Sequence, residues 1–325
     1  MTVEQTIVGH ETERQELERD LEAGNVSHAY LFAGPSHLGK MTIAKWFAMQ
    51  LLAHGASPEE REHIVSEAER LVHSDFLVLD RLWVEGVSED WAVIGQTSNV
   101  PQQHRMKKPV AKTDTIGIDD IRALQQRLYE TKVGAFRCCI IRLVERMQDT
   151  AANAFLKILE EPPEGLVFLL TTSAFRSLLP TVISRTRVIS FRRVPSRSLR
   201  PLLTDLSEDD ASFVLHLSQG APGIALRLRN NPDLLRAERL LHSRAQSFWR
   251  TSSLRERLQL LEPLHKRGEE ADQFLLHLFL TLRECPPAEC AAHQPQLMEM
   301  AHGFTTNTHR ELLSERFVLS VSGGA

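Results

Sequence analysis

Residues 151–191, AANAFLKILEEPPEGLVFLLTTSAFRSLLPTVISRTRVISF, decide the fold of this chain. Apolar side chains recur at three- and four-residue steps in its first part, which predicts an amphipathic helix. Pro162-Pro163 end that helix, because proline lacks a backbone donor and clashes with the preceding turn. The apolar run Leu166 to Thr172 is typical of a strand buried on both faces of a parallel sheet. A short helix or turn and a second strand, Val188 to Phe191, complete the stretch.

A second pattern, AYLFA followed by GPSHLGKMT at residues 29–42, predicts a strand, a glycine loop and a helix. This is the context of a phosphate loop, in which backbone N–H groups and the helix dipole hold an anion. Gly34, Gly39 and Lys40 fit the motif, and Lys40 would reach the terminal phosphates. The next position needs a hydroxyl for Mg²⁺, but Met41 offers a thioether, a poor ligand for a hard cation. Thr42 comes one residue late and points about 100° further round the helix.

Several long ordered segments resemble one protein family. NAFLKILEEPPEGLVFLLTTS and LLPTVISR within residues 153–185 are similar to the clamp-loader subunits of bacterial DNA polymerase III, most closely the delta-prime type of the AAA+ superfamily. The resemblance continues in HSDFLVL at residues 73–79 and in SQGAPGIALRLR at residues 218–229. It covers the chain from residue 5 to residue 230, and the remaining tail matches only in being helical.

The resemblance implies an α/β fold followed by helical parts. Residues 1–192 are expected to form an AAA+ nucleotide-binding-like domain, in which helices flank a parallel sheet that carries the phosphate loop. Residues 193–231 would form a helical lid, and residues 232–325 an all-α collar domain for oligomerisation. The apolar faces that repeat through residues 233–320 independently predict helices there.

The resemblance also shows what this chain lacks. In ATPase relatives the strand corresponding to residues 135–144 ends in an acidic pair, which holds Mg²⁺ and orients the attacking water. Here Arg142 and Leu143 stand in its place, and Glu145 comes three residues later, where we expect it to start the following helix. Ile224 occupies the lid position where active relatives carry an arginine. We therefore predict no ATPase activity by the chain alone and no required cofactor. Weak binding of ATP, ADP or another anion is the most we expect from the degenerate loop, formed by Gly34, Gly39, Lys40 and Thr42.

The triplet Ser184-Arg185-Thr186 resembles the family's Ser-Arg-Cys loop. This implies that Arg185 acts in trans as an arginine finger for a neighbouring subunit, with Ser184 supporting the loop. The competing interpretation is an ordinary surface arginine, since Arg187 and other arginines follow. A threonine at 171 or 172 occupies the family's sensor position, where it would face the γ-phosphate or simply bond to backbone.

Composition limits the classes of protein to which the chain can belong. A net charge of −4, with 42% apolar and 25% charged residues, excludes a wholesale basic nucleic-acid binder. The sequence has no apolar stretch of about 18 residues, so we expect a cytoplasmic protein without a membrane span. The basic loop at residues 95–115 is either a DNA-backbone contact or a solvated loop. The cysteines lack zinc-ligand spacing, and Cys138 and Cys139 lie in a predicted strand, where they act as small apolar residues. Relatives often carry a four-cysteine zinc module before the strand at residues 73–79, but residues 55–72 hold no cysteine here, so we predict no metal and no zinc.

The resemblance then implies a non-hydrolysing subunit of the replicative sliding-clamp loader, within the DNA polymerase III holoenzyme at the replisome. Its expected partners are the gamma/tau motor and delta subunits of a hetero-pentamer, with the sliding clamp and primed DNA reached through the complex. The alternative is an active gamma/tau-like AAA+ motor. Arg142 and Leu143 discriminate between the two, because a cation repels Mg²⁺ and a leucine cannot orient water.

Overall fold

The computed structural model describes residues 7–80, 98–100, 115–306 and 308–322. The chain divides into two compact units. The first comprises Met1–Thr204 with Ser218–Ile224, and the second comprises Asp205–Leu217 with Ala225–Ala325. Residues 193–231, predicted as a lid, fall partly in each unit. The three-part domain division stays a prediction.

The first unit alternates strands and helices. Its elements are α1 (Glu11–Glu22), β1 (Ala29–Ala33), α2 (Lys40–Leu52), α3 (Pro58–Glu69), β2 (Phe76–Leu79), α4 (Ile118–Leu128), β3 (Arg137–Ile141), α5 (Asp149–Glu160), β4 (Leu166–Thr172), α6 (Pro180–Ile183), β5 (Arg187–Ser190) and α7 (Ser196–Leu199). Short 3₁₀ turns at Val144–Arg146, Phe175–Ser177 and Arg200–Leu203 connect some of them. Strands and helices that follow one another in this way favour a parallel sheet with crossover helices.

The five strands form one parallel sheet in the order β2-β3-β4-β1-β5. The parallel sheet predicted from the apolar run is therefore confirmed, and β4 covers the predicted residues. Because all strands run in one direction, the segments after β1, β3 and β4 meet at one edge of the sheet. The residues that the sequence predicts to act in nucleotide binding lie at this edge.

Helices cover both faces of the sheet, and side chains alternate between two apolar clusters. Tyr30 and Phe32 of β1 belong to one cluster with Phe47 of α2, whereas Leu31 faces the other with Phe155 of α5. Adjacent Cys138 and Cys139 of β3 are buried and free, one in each cluster. Burial raises the pKa of both thiols, which fits their predicted role as small apolar residues.

The second unit is helical. Its elements are α8 (Glu208–Ser218), α9 (Pro222–Asn230), α10 (Pro232–Arg250), α11 (Leu254–Leu260), a 3₁₀ turn (Glu262–His265), α12 (Glu269–Leu282), α13 (Pro287–Phe304) and α14 (Arg310–Ser322). Ser218 of α8 and the first turn of α9 belong to the first unit. The apolar core of the second unit includes Phe248, Phe274 and Phe317, so the helices predicted for this region are confirmed.

Two sequence expectations concern a membrane span and the basic loop. Among the helices there, none is long and apolar enough to cross a membrane. The basic side chains of the 95–115 loop, His104, Arg105, Lys107, Lys108 and Lys112, lie outside the described residues.

Candidate functional site: the phosphate loop and the Arg185 loop

The phosphate loop leaves β1 and enters α2 through two glycines with positive φ angles. A Cβ atom at Gly34 would lie 2.4 Å from the carbonyl oxygen of Phe191, so no larger residue fits there. Gly39 has φ 88° and precedes the first turn of α2, where the N–H of Ile43 donates to its carbonyl oxygen at 3.0 Å. Both motif glycines thus occupy backbone positions that favour glycine.

Lys40 is buried and turned onto its own loop. Lys40 is only 7% exposed. Its Nζ donates to the carbonyl oxygens of Gly34 at 2.6 Å and Pro35 at 2.5 Å. Burial lowers the pKa of Lys40 to about 8, and the nearby Arg142 adds to this, whereas Glu145 opposes it. To bind a phosphate, Lys40 has to exchange these carbonyl contacts for phosphate oxygens.

The two residues after Lys40 offer little to a metal ion. Met41 is half-buried and packs against the apolar cluster that contains Phe47. Thr42 is the third residue of α2 and is also half-buried. The loop therefore combines a phosphate-loop backbone with an apolar side chain at the position that normally binds Mg²⁺.

At the carboxyl end of β3, Arg142 occupies the place of the missing acid. Its guanidinium donates to both oxygens of Asp80, at 2.9 Å and 3.3 Å, and Asp80 is 4% exposed. Burial lowers the pKa of Lys45 in α2. The positive charge of Arg142 lowers it further, whereas the negative charge of Asp80 raises it. No sequence motif pointed to Asp80. Its position directly after β2, the strand that pairs with β3, is the signal that links the two residues.

Glu145 is closer to this site than its sequence position indicated. Leu143 has the left-handed φ of 56°, and the 3₁₀ turn Val144–Arg146 follows it. There Oε1 of Glu145 accepts hydrogen bonds from the N–H of Ser173 at 2.8 Å and its hydroxyl at 2.7 Å. Burial raises the pKa of Glu145, but the Ser173 bonds outweigh it and the net shift is downward. The following helix begins only at Asp149, so the expectation that Glu145 starts it is wrong.

Both candidate sensor threonines bond to backbone. The hydroxyl of Thr171 accepts the N–H of Leu143 at 3.0 Å, and the hydroxyl of Thr172 accepts the N–H of Ala174 at 3.1 Å. These bonds fit the simpler of the two sequence interpretations. The Thr171 bond also links the end of β4 to the segment after β3.

Residues 218–224 pack against the phosphate loop within the first unit. The N–H of Gly223 donates to the carbonyl oxygen of His37 at 2.9 Å, and a Cβ there would lie 3.0 Å from that oxygen. Ile224 packs against the same apolar cluster as Met41. At position 224, therefore, an apolar contact replaces the arginine expected of active relatives.

The Arg185 loop is held by short-range hydrogen bonds. The hydroxyl of Ser184 donates to the carbonyl oxygen of Thr181 at 3.2 Å, and that of Thr186 donates to Ile183 at 3.0 Å. The guanidinium of Arg185 donates to Glu160 Oε1 at 2.7 Å and to the carbonyl oxygen of Thr181 at 3.0 Å. The side chain is 34% exposed and that of Glu160 is 50% exposed, so the pair is open to solvent.

Arg185 and the phosphate loop lie at opposite edges of the sheet. Arg185 comes just before β5, whereas the loop begins just after β1, and these strands are parallel neighbours. Arg187 pairs with Tyr30, so Gly34 lies four residues further along, a strand distance of about 13 Å. The structure thus keeps the loop glycines with Lys40 at one edge, and Arg185 with Ser184 at the other.

The family model described as DNA polymerase III, delta subunit, matches residues 9–195, which is more than half of the chain. The chain belongs to this family. The resemblance read from the sequence is therefore confirmed at the level of the family.

Curated relatives carry two kinds of name. The chain is 31% identical over 222 residues to a DNA polymerase III subunit gamma/tau of Mycobacterium bovis, covering 66% of this chain and 34% of that protein. It is 31% identical over 213 residues to a DNA polymerase III subunit delta' of Pseudomonas aeruginosa, covering 62% and 56% respectively. The chain thus spans about a third of the length of the gamma/tau relative.

A solved structure of a DNA polymerase III gamma subunit-related protein from Thermotoga maritima has the same fold. The TM-score is 0.50 at 19% identity, and the alignment covers 95% of this chain and 98% of that one. The predicted AAA+ α/β fold with a helical C-terminal region is confirmed.

Proposed function

We propose that this chain is a delta-prime-like subunit of the DNA polymerase III clamp loader, and that it stimulates ATP hydrolysis by a neighbouring subunit without hydrolysing ATP itself. The observation that carries the proposal is the end of β3. There Arg142, paired with Asp80, stands where a motor subunit holds Mg²⁺ with an acid. We therefore expect this chain to act on ATP that is bound by a neighbouring subunit.

The chain lacks several of the groups that ATP hydrolysis at its own site would require. Mg²⁺ would have to bind without a hydroxyl at Met41 and beside the cation of Arg142. Loss of one preorganised group that stabilises a transition state typically costs about 10²–10³ in rate. Two such losses in one site leave too little catalysis for a motor. Lys40 retains the means for weak ATP, ADP or anion binding, and the proposed role requires no cofactor.

Arg185 has the properties of a group offered to a neighbour. A guanidinium stays charged and presents a planar fork of donors, which suits the charge on a transferring phosphoryl group. The loop is fixed by Ser184 and Thr186, while the guanidinium itself is solvent-accessible. Because Arg185 lies at the sheet edge away from the chain's own phosphate loop, its phosphate target is on another subunit. Docking of that subunit would exchange the contact with Glu160 for the phosphate.

The proposal assigns partners of the family type. These are a gamma/tau motor subunit beside Arg185 and a delta subunit in the same complex, which together act on the sliding clamp and primed DNA. Such a complex works in the cytoplasm at the replisome. The helical second unit would supply the contacts that hold the oligomer together.

The test is ATP turnover by a complex reconstituted from this chain, its motor and delta partners, the clamp and primed DNA. Arg185→Ala should lower turnover at the neighbouring site by about 10³ or more, with assembly unchanged. Arg176→Ala is the matched control, since Arg176 is an exposed arginine on the preceding 3₁₀ turn. Unchanged turnover in a fully assembled Arg185→Ala complex would refute the finger.

An active motor is the second candidate, and two observations favour it. Gamma/tau proteins are among the relatives, and Glu145 supplies a carboxylate whose charge acts on Lys40. This function requires turnover by the chain alone that disappears in Lys40→Ala. The same reconstitution, run without the motor subunits, separates the two proposals.

A further inference from the structure

Three potential metal ligands meet in the helical second unit. His216 comes from α8, His242 from α10, and Glu284 follows the end of α12. Nε2 of His216 lies 3.1 Å from Oε1 of Glu284, and Nε2 of His242 lies 3.3 Å from the same oxygen. One ligand atom from each residue lies within 4.8 Å of the others.

These separations fit a tetrahedral metal ion. Zn²⁺ binds histidine nitrogen and carboxylate oxygen at about 2.0–2.2 Å, so the ligand atoms around it stand about 3.3–3.5 Å apart. Two of the three edges, at 3.1 Å and 3.3 Å, already have nearly this length. Two imidazoles and one carboxylate are donors that suit Zn²⁺ and related transition metals more than Mg²⁺ or Ca²⁺.

A buried chain of polar groups orients the central ligand. Nε2 of His277 lies 2.6 Å from Oε2 of Glu238, and Nδ1 of His277 lies 3.3 Å from Nδ1 of His242. His277 is fully buried, and Glu238 is 8% exposed. In the tautomer that donates from Nε2 to Glu238, His277 accepts at Nδ1 from Nδ1 of His242. This leaves a lone pair on Nε2 of His242.

That lone pair faces the carboxylate oxygen of Glu284, which is also an acceptor. The amide nitrogen of Gln246 lies 3.4 Å from Nε2 of His242 and donates to the other oxygen of Glu284 at 3.0 Å. A cation between the imidazoles and the carboxylate would satisfy all the acceptors at once. Outer partners such as Glu238 and His277 are typical of metal-bound histidines, whose orientation and tautomer they fix.

We propose that His216, His242 and Glu284 bind one divalent transition-metal ion, with Zn²⁺ the expected ion and water its fourth ligand. The ion would fasten α8 to α10 and to the end of α12. The proposal is independent of the proposed clamp-loader function. It lies outside the segment on which the prediction of no zinc was based, and occupancy would make that prediction wrong for the chain as a whole.

The experiment uses the full chain without a polyhistidine tag, stripped of metal by a chelator. Co²⁺ titration followed by visible absorption should show one tetrahedral site, and Zn²⁺ should displace the Co²⁺. His216→Gln and Glu284→Gln each remove one ligand and should weaken Zn²⁺ binding at least about tenfold. Glu238→Gln tests the positioning role, with a loss of about 10–100-fold that is typical of outer partners.

His63→Gln is the control, because His63 forms an exposed pair with Glu67 at 3.2 Å in α3 and should not alter the affinity. His216 and Glu284 are partly exposed, so their variants are expected to fold, and circular dichroism checks this. Absence of a tetrahedral Co²⁺ spectrum in the native chain would overturn the proposal. Native affinity in both folded ligand variants would also overturn it.

Discussion

Replacing Arg137 by methionine should destabilise the first unit more than any surface change. Arg137 is 3% exposed and begins β3, and its partner Asp75 is completely buried. Nε and one terminal nitrogen of Arg137 donate to Oδ1 of Asp75 at 3.1 Å and 2.8 Å. Oδ2 of Asp75 accepts the N–H groups of Val133 and Gly134 at 2.8 Å and 2.9 Å.

The remaining donors of Arg137 hold the end of α4. They reach the carbonyl oxygens of Arg127, Leu128, Glu130 and Thr131 at 2.6–3.1 Å. Carbonyl groups at a helix C-terminus lack intrahelical partners, and a cation there also favours the helix dipole. Arg137→Met keeps the apolar stem but removes the cation and both donors from Oδ1 of the buried Asp75, and it takes the side-chain donors away from several carbonyls. Breaking a buried pair on one side typically costs about 3–5 kcal/mol.

Urea unfolding followed by circular dichroism measures this loss. With m near 3 kcal/mol/M, as expected for a unit of this size, the midpoint should fall by about 1–2 M. Arg122→Met is the matched control, since Arg122 lies on α4 and pairs with Asp119 at 3.1 Å while both side chains are more than half exposed. Such surface pairs contribute about 0–1 kcal/mol. A loss below about 1 kcal/mol in Arg137→Met would refute the reasoning.

The pH dependence supplies a second readout. Burial raises the pKa of Asp75, but bonds from Gly134, Arg137 and Val133 outweigh it, and the net pKa is lowered. A lowered carboxyl pKa stabilises the fold above the unfolded value, and this stability is lost as the pH falls through the folded pKa. Without Arg137, burial should dominate and raise the folded pKa of Asp75, so protonation should relieve the buried charge. The stability difference between Arg137→Met and the native chain should therefore shrink as the pH falls.

Two further predictions concern the proposed function. Glu160→Gln should leave assembly intact and raise ATP turnover of the reconstituted complex by at most about fivefold, because an exposed ion pair holds Arg185 by about 0.2–1 kcal/mol. A large fall would mean that Glu160 positions the arginine. Pyrophosphate binding by the isolated chain should weaken as the pH rises through the Lys40 pKa of about 8, since the neutral amine no longer attracts an anion. Calorimetry one pH unit below and above that value, with Lys40→Met as control, checks it; equal affinities would show that Lys40 does not contact the anion.

The local elements of the first unit were predictable from the sequence because each signal is contiguous. The strand Leu166 to Thr172 is a continuous apolar run between a glycine turn and a polar loop, and its observed bounds are the predicted ones. The strand order was not predictable in this way. Nothing in residues 29–33 indicates that β1 lies between β4 and β5, since that placement depends on packing between distant segments.

The candidate site shows the same division. Glycine and lysine spacing predicted the phosphate loop, whereas the pairing of Arg142 with Asp80, 62 positions away, required the adjacency of β2 and β3. Glu145 was set aside because linear spacing assumes that the strand continues straight. The left-handed backbone at Leu143 breaks that assumption and brings the carboxylate to Ser173.

On the proposed function, these contacts mean that a single substitution toward a motor's residues would not give the phosphate site hydrolysis. Arg142→Asp would supply the acid but place it beside Asp80, which would lose the Arg142 contact while remaining buried. Two neighbouring carboxylates raise the pKa of one of them, so the pair would favour sharing a proton unless Mg²⁺ bound there. Met41→Thr would supply the hydroxyl for that ion but remove apolar contact from the cluster around Phe47. Each of the two substitutions is therefore expected to destabilise the fold unless the other accompanies it, which supports the proposal of a structural loop and an arginine that acts on a neighbouring subunit.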